Sequence, residues 1–199
     1  AGYWRVNGNS KTAIIGKWIN SPGKTLLNKV KKDLGGNYLP IIAEDLGVIT
    51  PDVEKLRKNF ELPGMKILQF AFDGNEDNPY LPKNIEGENW VVYTGTHDNS
   101  TSISWWDSLD NVSKIRIKDE YKFLENPSWS LIQIGMGTNA NLFIAPIQDI
   151  LSLDDSSRIN KPGTTKNNWK WKLNRSLDEI EDNLRSFGEL GNVFGRTEK

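Results

Sequence analysis

Residues 41–50 read "IIAEDLGVIT", an apolar run that ends in two adjacent carboxylates, Glu44 and Asp45, and then a glycine. With the residues just before it, the segment "LPIIAEDLG" (39–47) has the form of a buried strand: a continuous apolar run closed by a glycine. Ionised carboxylates are costly to bury unless they are paired or used. Two acids at the end of such a strand therefore need a purpose, and the rest of the chain indicates which.

Moving outward, "TPDVEKLRKNF" (50–60) predicts a helix. Thr50 is placed to cap it, Pro51 fits its first turn, and Val53, Leu56 and Phe60 form one apolar face. "MKILQFAF" (65–72) predicts a second strand and "NWVVYTGTHDN" (89–99) a third. Residues 101–125 predict helix in two pieces, and "SWSLIQIGMGT" (128–138) another helix. "NLFIAPIQDIL" (141–151) predicts a fourth strand. "SLDEIEDNLRSF" (176–187) predicts a closing helix, with Ser176 as N-cap and Glu179 at the third helical position. Strands alternating with helices imply parallel βαβ units and an α/β fold. Four such units make half of a (β/α)8 barrel or one small doubly wound sheet, and the barrel is the better choice. Polar residues fall just after the first and third strands: Glu44 and Asp45, then Thr96, His97, Asp98 and Asn99. In a barrel that rim carries the chemistry.

Composition narrows the function classes. The chain has 199 residues, 25 basic and 26 acidic side chains, and no cysteine. Balanced charge gives no reason to expect a nucleic-acid or anionic-membrane partner. Without cysteine there is no disulfide framework, thiolate chemistry or zinc–cysteine site. The opening "AGYWRVNGNSK" lacks the positive segment and apolar core of a signal peptide, and no apolar run nears the ~18 residues of a membrane span. A cytoplasmic location is the expectation. Eight tryptophans are a large share. They suit either large apolar packing or sugar binding, since a flat ring can lie on a pyranose face.

Two nucleotide-like motifs fail on context. "SPGKT" (21–25) resembles a phosphate loop, but the position that needs the first glycine is Trp18, and no strand is expected before it. "GMGTNA" (135–140) fits a dinucleotide fingerprint, but with a helix before it and a strand after, the reverse of the required order. The single histidine, His97, leaves only carboxylates and water as further metal ligands, so neither a metal nor an organic cofactor is expected. Glu44 and Asp98 are the informative pair. Two carboxyls converging at a barrel mouth are what glycosidic bond cleavage uses. Ordinary strand-end carboxylates that hold loops and cap helices are the alternative. Asp45 points away from Glu44 on an extended strand, so one of the two can face a substrate while the other anchors a loop or the next helix.

Three ordered blocks carry a resemblance: "LPIIAEDLGVITPDVEKLRKNFELPGMKILQFAF", "YTGTHDN" and "APIQDILSLDDSSRINKPGTTKNNWKWKL". Together with "YWRV" and "KTAIIGKWINSPGKTLL", they resemble the C-terminal part of the 4-α-glucanotransferases, the amylomaltase or disproportionating-enzyme family. The resemblance covers essentially the whole chain. It implies the C-terminal half of a (β/α)8 barrel, with residues 1–199 forming part of one catalytic domain and the N-terminal half missing. It implies retaining transfer of α-1,4-glucan segments between malto-oligosaccharides, with no cofactor. By the same resemblance Glu44 matches the general acid/base, and Asp98 the aspartate that stabilises the transition state. His97 and Asn160 match substrate contacts. The family's nucleophile, an aspartate in an Arg-Ile-Asp-His-Phe-Arg type segment, is absent, and by alignment falls a few residues before Ala1. The chain is therefore expected to be the C-terminal part of a longer enzyme with a natural C-terminus. Two other readings stand beside this one: another α-glucan-active barrel hydrolase, and a non-catalytic α-glucan-binding module.

Overall fold

The computed structural model describes residues 2–47 and 49–197. They form two compact units, Ala1–Met65 and Lys66–Lys199.

The first unit opens with an antiparallel hairpin of β1 (Gly2–Val6) and β2 (Gly16–Asn20). Trp4 lies opposite Trp18, and the two rings meet edge to face at 5.7 Å. Helix α1 (Gly23–Asp33) follows, then α2 (Pro51–Asn59). Neither the hairpin nor α1 is legible as an apolar pattern. β2 does precede "SPGKT", contrary to expectation, but Trp18 still occupies the place of the first phosphate-loop glycine. Helix α2 has its expected bounds. Thr50 stands at its N-cap in extended conformation, although its side chain makes no capping hydrogen bond. Leu39, Phe60 and Leu62 form a small core, against which Leu27, Val30, Ala43 and Leu56 pack.

The expected strand at 39–47 is not one. Among the described residues no strand ladders with it, and the Ile41 amide turns back to the Leu39 carbonyl at 2.8 Å. One backbone link to the rest of the unit is the Ala43 amide, which donates to the Pro63 carbonyl at 2.8 Å. Ile41 and Ile42 are 36% and 43% exposed. An apolar run becomes a strand only where a neighbour takes its backbone groups in a continuous ladder, and the single bond from Ala43 does not make one.

The second unit is built on a three-stranded sheet in the order β3-β4-β5. β3 is Gly64–Ile67, its last two residues opening this unit; β4 is Trp90–Tyr93 and β5 is Leu142–Ile144. β4 and β5 run parallel, with Val91 beside Leu142 and Tyr93 beside Ile144. All three strands are shorter than the sequence predicts. After Ile67 the chain turns into a 3-10 segment, Leu68–Phe70, which brings Leu68, Ala71 and Phe72 into the core. After Ile144 comes Pro146, which lacks an amide for a ladder, and the short helix α6 (Ile147–Ile150). Helices α3 (Ser102–Ser108), α4 (Asn111–Tyr121) and α5 (Pro127–Met136) match the predicted pieces. Helix α7 (Leu177–Val193) begins as predicted with a full capping box between Ser176 and Glu179.

Gly135 explains part of "GMGTNA". A methyl group at this position would stand 2.1 Å from the ring of Phe143. The glycine lets α5 close on β5, and the helix-then-strand order that argues against a dinucleotide site is observed.

Candidate active site

β4 ends at Tyr93 in the second unit, and the loop after it carries Thr96, His97, Asp98 and Asn99. Both ends of this loop are tied to one buried side chain. Asp149, on α6, is 2% exposed. Its carboxylate accepts from the Thr94 hydroxyl at 2.5 Å, from the Ser102 amide at 2.8 Å and from the Ser102 hydroxyl at 2.7 Å. Burial pushes its pKa up, against the pull of these three donors. Within the loop, Asn99 accepts from the Thr96 amide and hydroxyl at 2.9 and 2.7 Å, which makes a tight turn. Gln69 donates to the Ser100 carbonyl at 2.9 Å, and Gly95 lacks the Cβ that would stand 2.7 Å from that amide nitrogen.

At the apex the Asp98 carboxylate accepts from the Asn160 side-chain amide at 2.6 Å, and the same oxygen lies 3.3 Å from His97 Nε2. Arg158 holds this pair in place. Its guanidinium donates to the Asp98 carbonyl at 2.6 Å, the Asn160 carbonyl at 2.9 Å and the Ser100 hydroxyl at 3.0 Å, and lies 3.4 Å from Asp155. A rigid five-donor fork suits such a role, because one planar group can fix several acceptors at once. The Asn160 amide also donates to the His97 carbonyl at 3.1 Å. Three of the expected site residues, Asp98, His97 and Asn160, are thus brought together from two loops. About half of the Asp98 and His97 side-chain surface is open. The cavity behind the loop is only ≈ 30 Å³, about the room of one water. A ligand must come from the open side.

Glu44, in the first unit, is exposed, and Oε1 accepts from the Leu46 amide at 2.9 Å. Its neighbour Asp45 is turned inward and nearly buried. Asp45 accepts from the Met65 amide at 2.7 Å and stands 3.3 Å from Arg57 Nε, while Arg57 also donates to the Leu62 carbonyl at 3.0 Å. The two adjacent acids do divide the work: Asp45 anchors the following helix and Glu44 stays free for solvent. Arg57 was legible in principle. It sits on the apolar stripe of α2, four residues after Val53, and a buried arginine calls for a carboxylate. Asp149 carries no such pattern, and neither does the reach of Arg158 to Asp98 and Ser100, since those partners lie far along the chain. Among the described residues no group of three or more His, Cys, Asp or Glu is placed to hold a metal ion, and no helix is long and apolar enough to cross a membrane.

Comparison with known proteins shows what the chain is similar to. The chain is 44% identical to the chloroplastic/amyloplastic 4-alpha-glucanotransferase of Arabidopsis thaliana, over 98% of this chain and 34% of that protein. It is 47% identical to the 4-alpha-glucanotransferase of Synechocystis, over 98% of this chain and 38% of that protein. It thus spans about a third of the length of the curated relatives it matches. The amylomaltase of Streptococcus agalactiae, solved in complex with acarbose, superposes with a TM-score of 0.91 at 32% identity, over 100% of this chain and 40% of that one. The amylomaltase of Corynebacterium glutamicum shares the fold, with a TM-score of 0.67 at 16% identity over 95% of this chain and 33% of that one. The family described as 4-alpha-glucanotransferase, glycoside hydrolase family 77, matches residues 1–178, and the chain belongs to it.

Proposed function

We propose that this chain is the C-terminal half of a (β/α)8 barrel and acts in the transfer of α-1,4-glucan segments between malto-oligosaccharides. The observation that carries the proposal is the Asp98–Asn160–His97 cluster after the parallel strand β4, the end of a strand from which barrel enzymes work. Family membership and the acarbose complex of a superposable relative support the substrate class.

In this reading Glu44 is the general acid/base. It protonates the glycosidic oxygen as the bond breaks, then takes a proton from the incoming sugar hydroxyl. Its exposure and its lack of a buried partner suit a group that must meet substrate. Asp98, fixed by Asn160 and Arg158, sets its negative charge against the oxocarbenium-like centre. Asn160 and His97 hold hydroxyls of the same sugar. Retention needs a second carboxylate as nucleophile, ≈ 5–5.5 Å from the acid, and in this reading it comes from chain preceding Ala1. The resulting glycosyl ester is then resolved by the hydroxyl of another sugar.

The test is an enzyme that carries both this chain and an upstream Arg-x-Asp segment, assayed for redistribution of maltotriose into longer and shorter chains. Asp98→Asn is expected to lower kcat by at least about a hundredfold while leaving the fold intact. Redistribution at near-normal rate would remove Asp98 from the mechanism. Rapid hydrolysis to glucose without longer products would favour a hydrolase.

A further inference from the structure

The loop that supplies Asn160 also supplies a tryptophan in an unusual state. Trp169 has φ +59, the left-handed region that bulky side chains rarely adopt. Asn167, two residues earlier, has φ +63, but asparagine is at home there and tryptophan is not. The strained conformation is held by the surrounding loop. The Trp169 amide donates to the Ile159 carbonyl at 2.8 Å. Asn168 donates to the Thr164 carbonyl at 3.0 Å and accepts from the Lys161 amide at 3.0 Å. Strain of this kind persists only where the surroundings over-determine it, and it gathers at functional sites.

The strain does not serve to bury the ring. Trp169 is 66% exposed. The ring lies against His97, with ring centroids 4.9 Å apart and planes at 42°, and His97 Nε2 in turn lies 3.3 Å from Asp98. A large flat apolar face therefore stands open beside the Asp98–Asn160 pair, on a backbone whose conformation is set in advance.

We propose that Trp169 is a stacking platform for a glucosyl ring of the α-1,4-glucan, bound next to the sugar held by Asp98 and Asn160. The axially directed C–H groups on one face of a pyranose carry partial positive charge and suit the negative face of an indole. Because the ring is already placed, binding does not have to order it. This assignment rests on the glucanotransferase reading and adds to it a residue that grips substrate away from the reacting bond.

The left-handed backbone provides a clean test. In the full-length enzyme, Trp169→Gly removes the ring and relieves the strain. The KM for maltotriose should rise roughly tenfold, kcat should stay within about twofold, and Tm should hold or increase. Trp169→Phe, which keeps a smaller ring, should fall between the two. An unchanged KM in Trp169→Gly would overturn the proposal. So would a lower Tm with KM unchanged, which would mark the indole as packing only. Calorimetric titration of maltotriose into both proteins separates the two claims. If the parent enzyme does not transfer but binds maltotriose about tenfold more tightly than Trp169→Gly, the platform stands and the transferase reading falls. Equal binding by the two proteins sinks the platform whatever the activity.

Discussion

Two adjacent acids with opposite surroundings give opposite expectations. Glu44 is exposed and bonded only locally, so Glu44→Gln should leave the urea midpoint of the full-length enzyme unchanged and cost about a hundredfold or more in kcat. Asp45 is the partner of a buried guanidinium, so Asp45→Ala should destabilise by about 3–5 kcal/mol, seen as a lower urea midpoint. Near-normal turnover in Glu44→Gln, or an unmoved midpoint in Asp45→Ala, would reverse the assignments. Asp149 gives a pH expectation. Burial raises its pKa, so between the ordinary carboxylate range and that raised value the folded chain keeps a proton the unfolded chain has lost. The associated stability is complete below the unfolded pKa and declines as pH rises through the folded one. Exposed capping acids such as Asp110 and Glu179 are shifted down by their hydrogen bonds, first those with the Ser113 and Ser176 amides, and act in the opposite sense. The signal is therefore the difference from Asp149→Asn. The midpoint of the parent relative to this variant should fall as pH rises above the ordinary carboxylate range; a flat difference would mean that Asp149 titrates normally.

At the level of elements, local chemistry and packing separate. Helix α7 begins where a serine, an acid three residues later and an apolar periodicity say it should. Ser176→Ala should cost about 1 kcal/mol, read from thermal unfolding. Gly135 on α5 is the reverse case. Helix propensity favours alanine by about 1 kcal/mol, but the added methyl would meet Phe143 at 2.1 Å. Gly135→Ala should therefore be a net loss of about 1–3 kcal/mol, and a gain in Tm would show that the contact relaxes freely. The strands fared worse than the helices in the sequence reading. A helix closes its hydrogen bonds within itself, whereas a strand ends where its neighbour ends. The run 39–47 is apolar enough for a strand but has no ladder partner, and β5 stops after three residues at the approach to Pro146.

For the molecule as a whole, the proposed half-barrel makes a claim about residues 1–199 as an isolated polypeptide. Large apolar side chains stand open on it, among them Ile14, Ile15, Trp18 and Ile42, and exposed apolar surface of this kind favours association. The isolated polypeptide should self-associate, unfold without a sharp urea transition, and show no redistribution of maltotriose. A monomer with a cooperative transition would argue against an interrupted barrel. Transfer by the isolated chain would mean that one of its own acids serves as nucleophile.

The sequence alone was enough for the alternation of helices and apolar runs, the N-cap of α7 and the placing of Glu44 and Asp98 at segment ends, because these depend on periodicity and on neighbours a few residues away. The resemblance supplied His97 and Asn160 as companions of Asp98. Only the folded chain showed that Arg158 grips the carbonyls of Asp98 and Asn160, that Asp149 ties both ends of the Asp98 loop, and that Trp169 lies against His97. Apart from the bond to the nearby Asn160 carbonyl, each of these joins residues from about 50 to more than 70 positions apart. Such contacts leave no periodic trace, because they are set by where separate segments come to rest rather than by the local order of side chains.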